Sequence, residues 1–308
     1  MTSHILVVGS VALDVIFPIE GDLRKEIPLK NGKIRNVNMT FLARKSEYYY
    51  GGTAGNIVYG LGLLKCSPIM FSAVGEDFKQ DYKKHLEKFG VICKPIVGNK
   101  DSETSRSFQI SDDLHQQITM FQANYYGDRL DDMSLLETIT KEELLKIKYA
   151  IFSPGNNVST LNNIREFKRY NQEAMIIFDP GMNVTSFTKE DLKESTSLSD
   201  ILISNDVEIL RIKKYHKLSI KELLDIGLDY VIETQGENGS TIHNLKSKIH
   251  IPIVKPNKLV ETTGSGDAYR AGLIAGLYKG KNIKDACKLG ARIASKSVEE
   301  YGGQGYKL

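Results

Sequence analysis

The chain has 308 residues, 41% of them hydrophobic and 26% charged, a balance that suits a globular protein with a sizeable core. A net charge of +3, from 41 Lys+Arg and 38 Asp+Glu, gives no argument for nucleic acid or an anionic membrane as a partner. Three scattered cysteines (Cys66, Cys93, Cys287) with no CxxC, and six scattered histidines with no HExxH spacing, exclude a disulfide framework and a zinc hydrolase of that type.

The N-terminal stretch MTSHILVVGS lacks a basic n-region, and ILVV is too short for the apolar core of a signal peptide. No run of about 18 apolar residues is present, so no transmembrane helix is expected, and a cytoplasmic chain with reduced thiols is. Short β-branched runs then alternate with amphipathic stretches. HILVVGS, IMFSAVG (69–75), YAIFSPG, AMIIFDPG, DILISN and LDYVIETQG read as strands buried on both faces of a parallel sheet. Helical patterns fall at Gly55–Lys65, Asp81–Phe89, Thr160–Tyr170, Lys189–Ser197, Ile220–Ile226, Gly266–Tyr278 and Ile283–Glu299. The alternation predicts a layered α/β fold, in which ligands bind beyond the carboxyl ends of the strands. Asp14, Asp179, Asn205, and Thr234, Gln235 and Gly236 sit at such ends.

Two segments break the pattern. Residues 15–50 carry no helical signal, and residues 104–122, TSRSFQISDDLHQQITMFQ, read as two strands around a DD turn. Together they predict a small β lid on a single domain spanning 1–308. No linker, low-complexity tract or internal repeat divides the chain.

The most informative stretch is ETTGSGDAYRAG, residues 261–272. Gly264, Ser265 and Gly266 mark the turn into a helix, where unpaired N–H groups and the helix dipole favour an anion. A phosphoryl group in transfer fits such a nest. Asp267 beside it would repel a resting phosphate, but suits a base that takes a proton from an attacking hydroxyl. The plain alternative is a first-turn carboxylate that stabilises the dipole by about 0.3–1 kcal/mol. No GxxxxGK[ST] loop and no GxGxxG fingerprint occurs, so other nucleotide-binding architectures have no motif here.

The order of several motifs resembles ribokinase-type (PfkB) carbohydrate and nucleoside kinases. ETTGSGDAYRAG resembles that family's DTTGAGDxFxxG signature. YGGTAGNIVYGLGLL followed by SAVGEDF resembles its N-terminal signature, with GSVALD before them and NDVE and ETQGENG between them and the nest. Within the family, AYRAG, FDPGMN, VNMTFLARKSEYYYGGTAGN and VEEYGGQ are most similar to bacterial and archaeal adenosine and nucleoside kinases.

The resemblance implies a ribokinase-like fold, with a mostly parallel sheet flanked by helices and a small β lid. It implies ATP-dependent phosphorylation of the 5′-hydroxyl of adenosine. Asp267 would be the base, and the N–H groups of Gly264, Ser265 and Gly266 the anion hole. Asp14 would hold two ribose hydroxyls, Gly51 and Gly52 would let the sugar approach, and Asn56 would contact the ribose edge. Ser10 and Thr40 would supply polar contacts, and Phe121 would stack on the base. Asn205, Glu208, Thr234, Gly236 and Gly239 would face ATP, with Glu208 holding Mg²⁺ through water. The partners implied are adenosine and ATP, with no nucleic acid or membrane, and a homodimer joined through the lid. Against these roles stand plainer ones: a helix cap for Asn56, a turn for Asp14, core packing for Phe121. Glu261 replaces the family's usual Asp, and Gln235 its usual Leu. A sugar kinase acting on ribose or fructose, and an inactive nucleotide-sensing relative, are the alternative readings.

Overall fold

The computed structural model describes residues 3–25, 29–30, 33–34, 39–98, 102–114, 116–123 and 131–308. Part of the expected lid (26–28, 31–32, 35–38 and 115) lies outside them. A nine-stranded sheet runs through the molecule. Its spatial order is Lys248–Ile251, Ser240–His243, Tyr230–Thr234, Ile201–Asn205, Met175–Phe178, Tyr149–Phe152, Ile5–Val8, Ile69–Phe71 and Ile92–Cys93. Every pairing from Tyr230–Thr234 onward is parallel. The two strands at the other edge are antiparallel.

ILVV shows why the sheet is a core. Ile5 and Val7 face one apolar cluster, Leu6 and Val8 the other, and all four are buried. The first cluster packs the helices Thr53–Leu63, Ser265–Tyr278 and Ile283–Ser297 against one face. The second packs Asn157–Tyr170, Lys189–Ser197 and Ile220–Ile226 against the other. Small residues bring Ser265–Tyr278 close to Ile283–Ser297: a Cβ on Gly272 would come within 2.7 Å of the Gly290 Cα, and one on Gly276 within 2.7 Å of the Ala286 Cα. That spacing holds the glycine–acid stretch on a rigid support.

A second sheet of four strands, in the order Gln117–Gln122, Ser105–Ser111, Ala12–Pro18 and Glu47–Gly51, is built from the two segments that lacked helical periodicity. The DD turn closes it: the Asp112 carboxylate accepts N–H bonds from Leu23, Leu114 and Gln116 at 2.8–2.9 Å. A short 3₁₀ turn, Leu23–Lys25, interrupts the stretch where no helical turn was expected, because its first N–H groups are satisfied by aspartate side chains. Register puts Tyr49, Asp14, Ser107 and Phe121 in one cross-strand row, so all four share a face. Among the described residues, no helix is long and apolar enough to cross a membrane.

Candidate active site

Two helices entered through glycine meet at the carboxyl ends of the strands. Gly52 precedes Thr53–Leu63 at φ 81°, and Gly264 precedes Ser265–Tyr278 at φ 76°, and neither offers a side-chain cap. The first of these helix ends is already satisfied. Ser10 Oγ accepts the Thr53 N–H at 3.2 Å, and its carbonyl accepts those of Ala54 and Gly55. Ser10 therefore fixes the helix that carries Asn56. The second end is open: among the described residues, the N–H groups of Gly264, Gly266 and Asp267 meet no acceptor. The Ser265 N–H closes a turn onto the Thr262 carbonyl at 3.1 Å, which amends the expectation of three consecutive free donors. The open donors are those of the two glycines and Asp267 itself.

Asn56 Nδ2 donates to Asp267 Oδ2 at 2.8 Å, joining residues 211 positions apart in sequence. Burial pushes the Asp267 carboxyl up to about 7, with Asp179 and Glu208 adding to the rise and Arg270 and the Asn56 bond opposing it. Arg270 lies one turn on. Its Nε and Nη2 hold Asp179 at 2.5 and 2.9 Å, and its Nη1 holds the Gly266 carbonyl at 3.0 Å. Both partners of that pair are buried, Asp179 almost completely. Burial works against the guanidinium charge, but Asp179, Glu208 and Asp267 together hold it protonated.

Asp14 sits under this cluster on the second sheet. It is 7% exposed, and no described residue donates a hydrogen bond to it. Burial, then Glu261 and Asp267, raise its carboxyl to about 7. Its side chain fills the space over Gly51 where a Cβ would stand, and a Cβ on Gly52 would come within 2.5–2.7 Å of the Ser10–Ala12 backbone. Both glycines are thus required by close packing, whatever approaches them. Phe121 shares the row of Asp14, two strands away, and is 54% exposed. Thr40 is exposed and makes no hydrogen bond with a described residue.

Asn205 and Glu208 form a reciprocal capping box, each accepting the other's backbone N–H at 2.8 Å. The N-x-x-E spacing is itself the sequence signal of that cap, so part of what it suggests is structural. Glu208 keeps its other carboxylate oxygen without a described partner, and burial, reinforced by Asp179, raises its pKa. Thr234 pairs with Asn205 across the sheet, so the NDVE and ETQGENG motifs are neighbours. Gly236 (φ 54°) faces open space, and Gly239 (φ 82°) packs against the Ile251 carbonyl. Gln235 accepts from Thr241 Oγ1 at 3.0 Å within the same hairpin.

Sequence reasoning left Arg270 without a role, placed Asp179 at a strand end without assigning it one, and did not single out Gln304 or Tyr82. An arginine on a small-residue helix and an aspartate closing a buried strand were the available signals for the ion pair. Two surface hollows lie apart from the cluster, about 500 Å³ beside His4, Tyr149 and Asn171 and about 410 Å³ beside Asp132, Arg165 and Glu166. Asn171, Arg165 and Glu166 are already hydrogen-bonded there, and the first hollow opens at the amino ends of the strands.

A nucleoside kinase of Methanocaldococcus jannaschii is 30% identical over 304 residues, covering 96% of this chain and 91% of that one. The crystal structure of the M. jannaschii nucleoside kinase, described as an archaeal member of the ribokinase family, superposes with a TM-score of 0.84 at 26% identity, over 99% of this chain and 95% of that one. A Burkholderia thailandensis nucleoside kinase in complex with inosine superposes with a TM-score of 0.83 at 26% identity, over 98% and 93% of the two chains. The same enzyme in complex with ADP-inosine gives 0.82 at 26% identity, over 99% and 92%. The fold is ribokinase-like. With residues 3–307 matching the family description throughout, the chain belongs to the pfkB family of carbohydrate kinases, phosphotransferases that act on a hydroxyl acceptor.

Proposed function

We propose that the chain is an ATP-dependent nucleoside kinase whose acceptor is adenosine, converting ATP and adenosine to ADP and AMP. The observation that carries the proposal is Asp267: a carboxylate with a raised pKa, held by Asn56, at the open end of a glycine-entered helix. A base with a pKa of about 7 can take the proton of a 5′-hydroxyl as that oxygen bonds to the γ-phosphorus and ADP leaves. The open N–H groups of Gly264, Gly266 and Asp267 would stabilise the charge that gathers on the transferring phosphoryl group.

Asp14 supports the acceptor side. A buried carboxylate without a described partner offers two oxygens to a vicinal diol, and such a diol would satisfy it. Phe121, on the same sheet face, is free to stack on a base. The inosine complex of the Burkholderia relative supports a purine nucleoside as the acceptor class. On the donor side, the ADP-inosine complex supports ATP, and Asn205, Glu208, Thr234, Gly236 and Gly239 line neighbouring strand ends.

The described residues contain no cluster of three or more metal-ligating side chains. That donor set fits a Mg²⁺ that keeps its waters and shares the substrate phosphates, with the uncommitted oxygen of Glu208 as its outer ligand. Bound there, the ion would neutralise charge on the β- and γ-phosphates.

Closure of the second sheet, which carries Asp14, towards Asp267 would exclude water from the transfer. Its other face carries Tyr48, Met120 and Ile118, all exposed, which supports a homodimer through the lid. The proposal is tested by Asp267→Asn. Turnover should fall about 10²–10⁴-fold while both substrates still bind by calorimetry; near-normal turnover would remove Asp267 from the role of base.

A further inference from the structure

We propose that Gln304 is a positioning residue for Asp267, acting through Asn56 along a directional chain that starts at the Gly51 carbonyl. The inference rests on the kinase reading above for its consequence in turnover, but its geometry stands without it.

The chain has four links. Tyr82 Oη donates to the Gly51 carbonyl at 2.6 Å. Gln304 Nε2 contacts Tyr82 Oη at 2.5 Å and Asn56 Oδ1 at 3.2 Å. Asn56 Nδ2 donates to Asp267 Oδ2 at 2.8 Å. Each orientation follows from the one before. A backbone carbonyl can only accept, so the single phenolic proton of Tyr82 goes to Gly51, and its oxygen must accept from Gln304. That fixes which end of the Gln304 amide faces inward. Its second N–H then meets an Asn56 oxygen, which turns the Asn56 Nδ2 towards Asp267. A flipped Asn56 would present an oxygen to the carboxylate instead, and would favour its protonated form.

The surroundings leave little freedom. Tyr82, Asn56 and Gln304 are all buried. A Cβ on Gly303 would come within 2.5–2.6 Å of the Asn56 amide, and one on Gly264 within 2.7 Å of the Gly303 Cα. The Gly302 N–H is held by Glu261 Oε2 at 2.7 Å. The C-terminal loop is therefore wedged between the Asn56 helix and the nest. Among the described residues Tyr306 Oη has no hydrogen-bond partner, and Gln304, whose side chain also faces the His85 ring, leaves its Oε1 without a well-formed bond, so the loop is not held there by full satisfaction of its own polar groups.

The other charged and titratable groups around Asp267 are Arg270 on its own helix, Asp179 behind the Met175–Phe178 strand, and Glu208 on the capping-box helix. Asp14 faces it from the second sheet, and Tyr306 from the C-terminal segment. Gln304→Met, neutral and of similar length, leaves all of them in place.

The experiment compares wild type, Gln304→Met, Tyr82→Phe, Asn56→Ala and the Asn56→Ala/Gln304→Met double variant. It records kcat, KM for ATP, the pH profile of kcat/KM, and the Asp267 carboxyl titration by ¹³C NMR, with Asp267→Asn for assignment. Gln304→Met should lower kcat about 10- to 100-fold with KM for ATP within about twofold. It should move the acid limb and the carboxyl titration to higher pH by about half a unit or more, and the added effect should vanish in the Asn56→Ala background. Tyr82→Phe, which removes the bond to the Gly51 carbonyl and the acceptor for Gln304 Nε2 and so loosens the Gln304 amide, should shift both in the same direction by less, and tests the chain on its own if Gln304→Met does not fold. A loss of turnover with an unmoved limb, or an additive effect in the double variant, overturns the proposal. If the wild type transfers no phosphoryl group, the kinase reading falls. The carboxyl titration then still decides the positioning role: an upward shift supports it and an unmoved one overturns it.

Discussion

Arg270→Met should be the most destabilising single change at the site, and its magnitude can be worked from the ion pair. The guanidinium makes two hydrogen bonds to Asp179, at 2.5 and 2.9 Å, and a third to the Gly266 carbonyl at 3.0 Å. Methionine fills much of the volume but supplies none of these donors, and leaves the Asp179 carboxylate buried and uncompensated. Breaking such a pair from one side costs about 3–5 kcal/mol. Against a total stability of about 5–15 kcal/mol, the melting temperature should fall by about 5–15 °C. The double variant Arg270→Met/Asp179→Leu leaves neither charge of the pair unpaired and should regain much of the loss. Urea and thermal unfolding at pH 7.5 measure both. A single variant within about 1 kcal/mol of wild type, or a double variant no more stable than the single, would refute the view that this pair anchors the helix carrying Asp267.

Other consequences follow from the same geometry. The folded-state pKa of Asp14 is raised from 3.8 to about 7, so its contribution to stability is present at low pH and is lost as pH climbs through 7. Asp14→Asn should therefore be more stable than wild type by about 1–3 kcal/mol at pH 8, a difference that narrows below pH 7 and closes near pH 4, while acceptor KM rises; equal stability at pH 8 would contradict its burial as a charged group. The acid limb of kcat/KM should fall near pH 7, where Asp267 takes up its proton. Gly264→Ala combines a left-handed φ with a contact of 2.7 Å to the Gly303 Cα, and should lower kcat more than it raises either KM. Phe121→Ala should raise the nucleoside KM about 5- to 100-fold and leave the ATP KM alone; an unchanged nucleoside KM would return Phe121 to an unpartnered edge-strand aromatic.

Much of this organisation was legible in the sequence, for identifiable reasons. ILVV and MIIF are continuous apolar runs because their strands are buried on both faces, and such runs survive any rearrangement of the rest. GSGD announces a helix start with no side-chain cap, and the helix begins there at Ser265. The second sheet was harder to read, because its strands alternate imperfectly: Asp14, Ser107 and Gln109 face inward among Ile16 and Ala12. A polar residue on a buried strand face carries no periodic signal. The Asn205–Glu208 spacing was readable as a capping box as well as the ligand site it was read as, and the cap is formed. Local signals could mark Arg270 and Asp179 singly but not pair them across 91 residues, nor join Asn56 to Gln304 across 248, because only the parallel strand order brings the partners together.

The central claim is phosphoryl transfer from ATP to a nucleoside 5′-hydroxyl. The direct measurement incubates the protein with γ-labelled ATP and a panel of adenosine, inosine, ribose and fructose, and identifies the labelled product. Label at the 5′ position of adenosine, lost in Asp267→Asn, is the predicted result. Labelled ribose or fructose with no labelled nucleoside, or no transfer to any acceptor while both ligands bind, would contradict it.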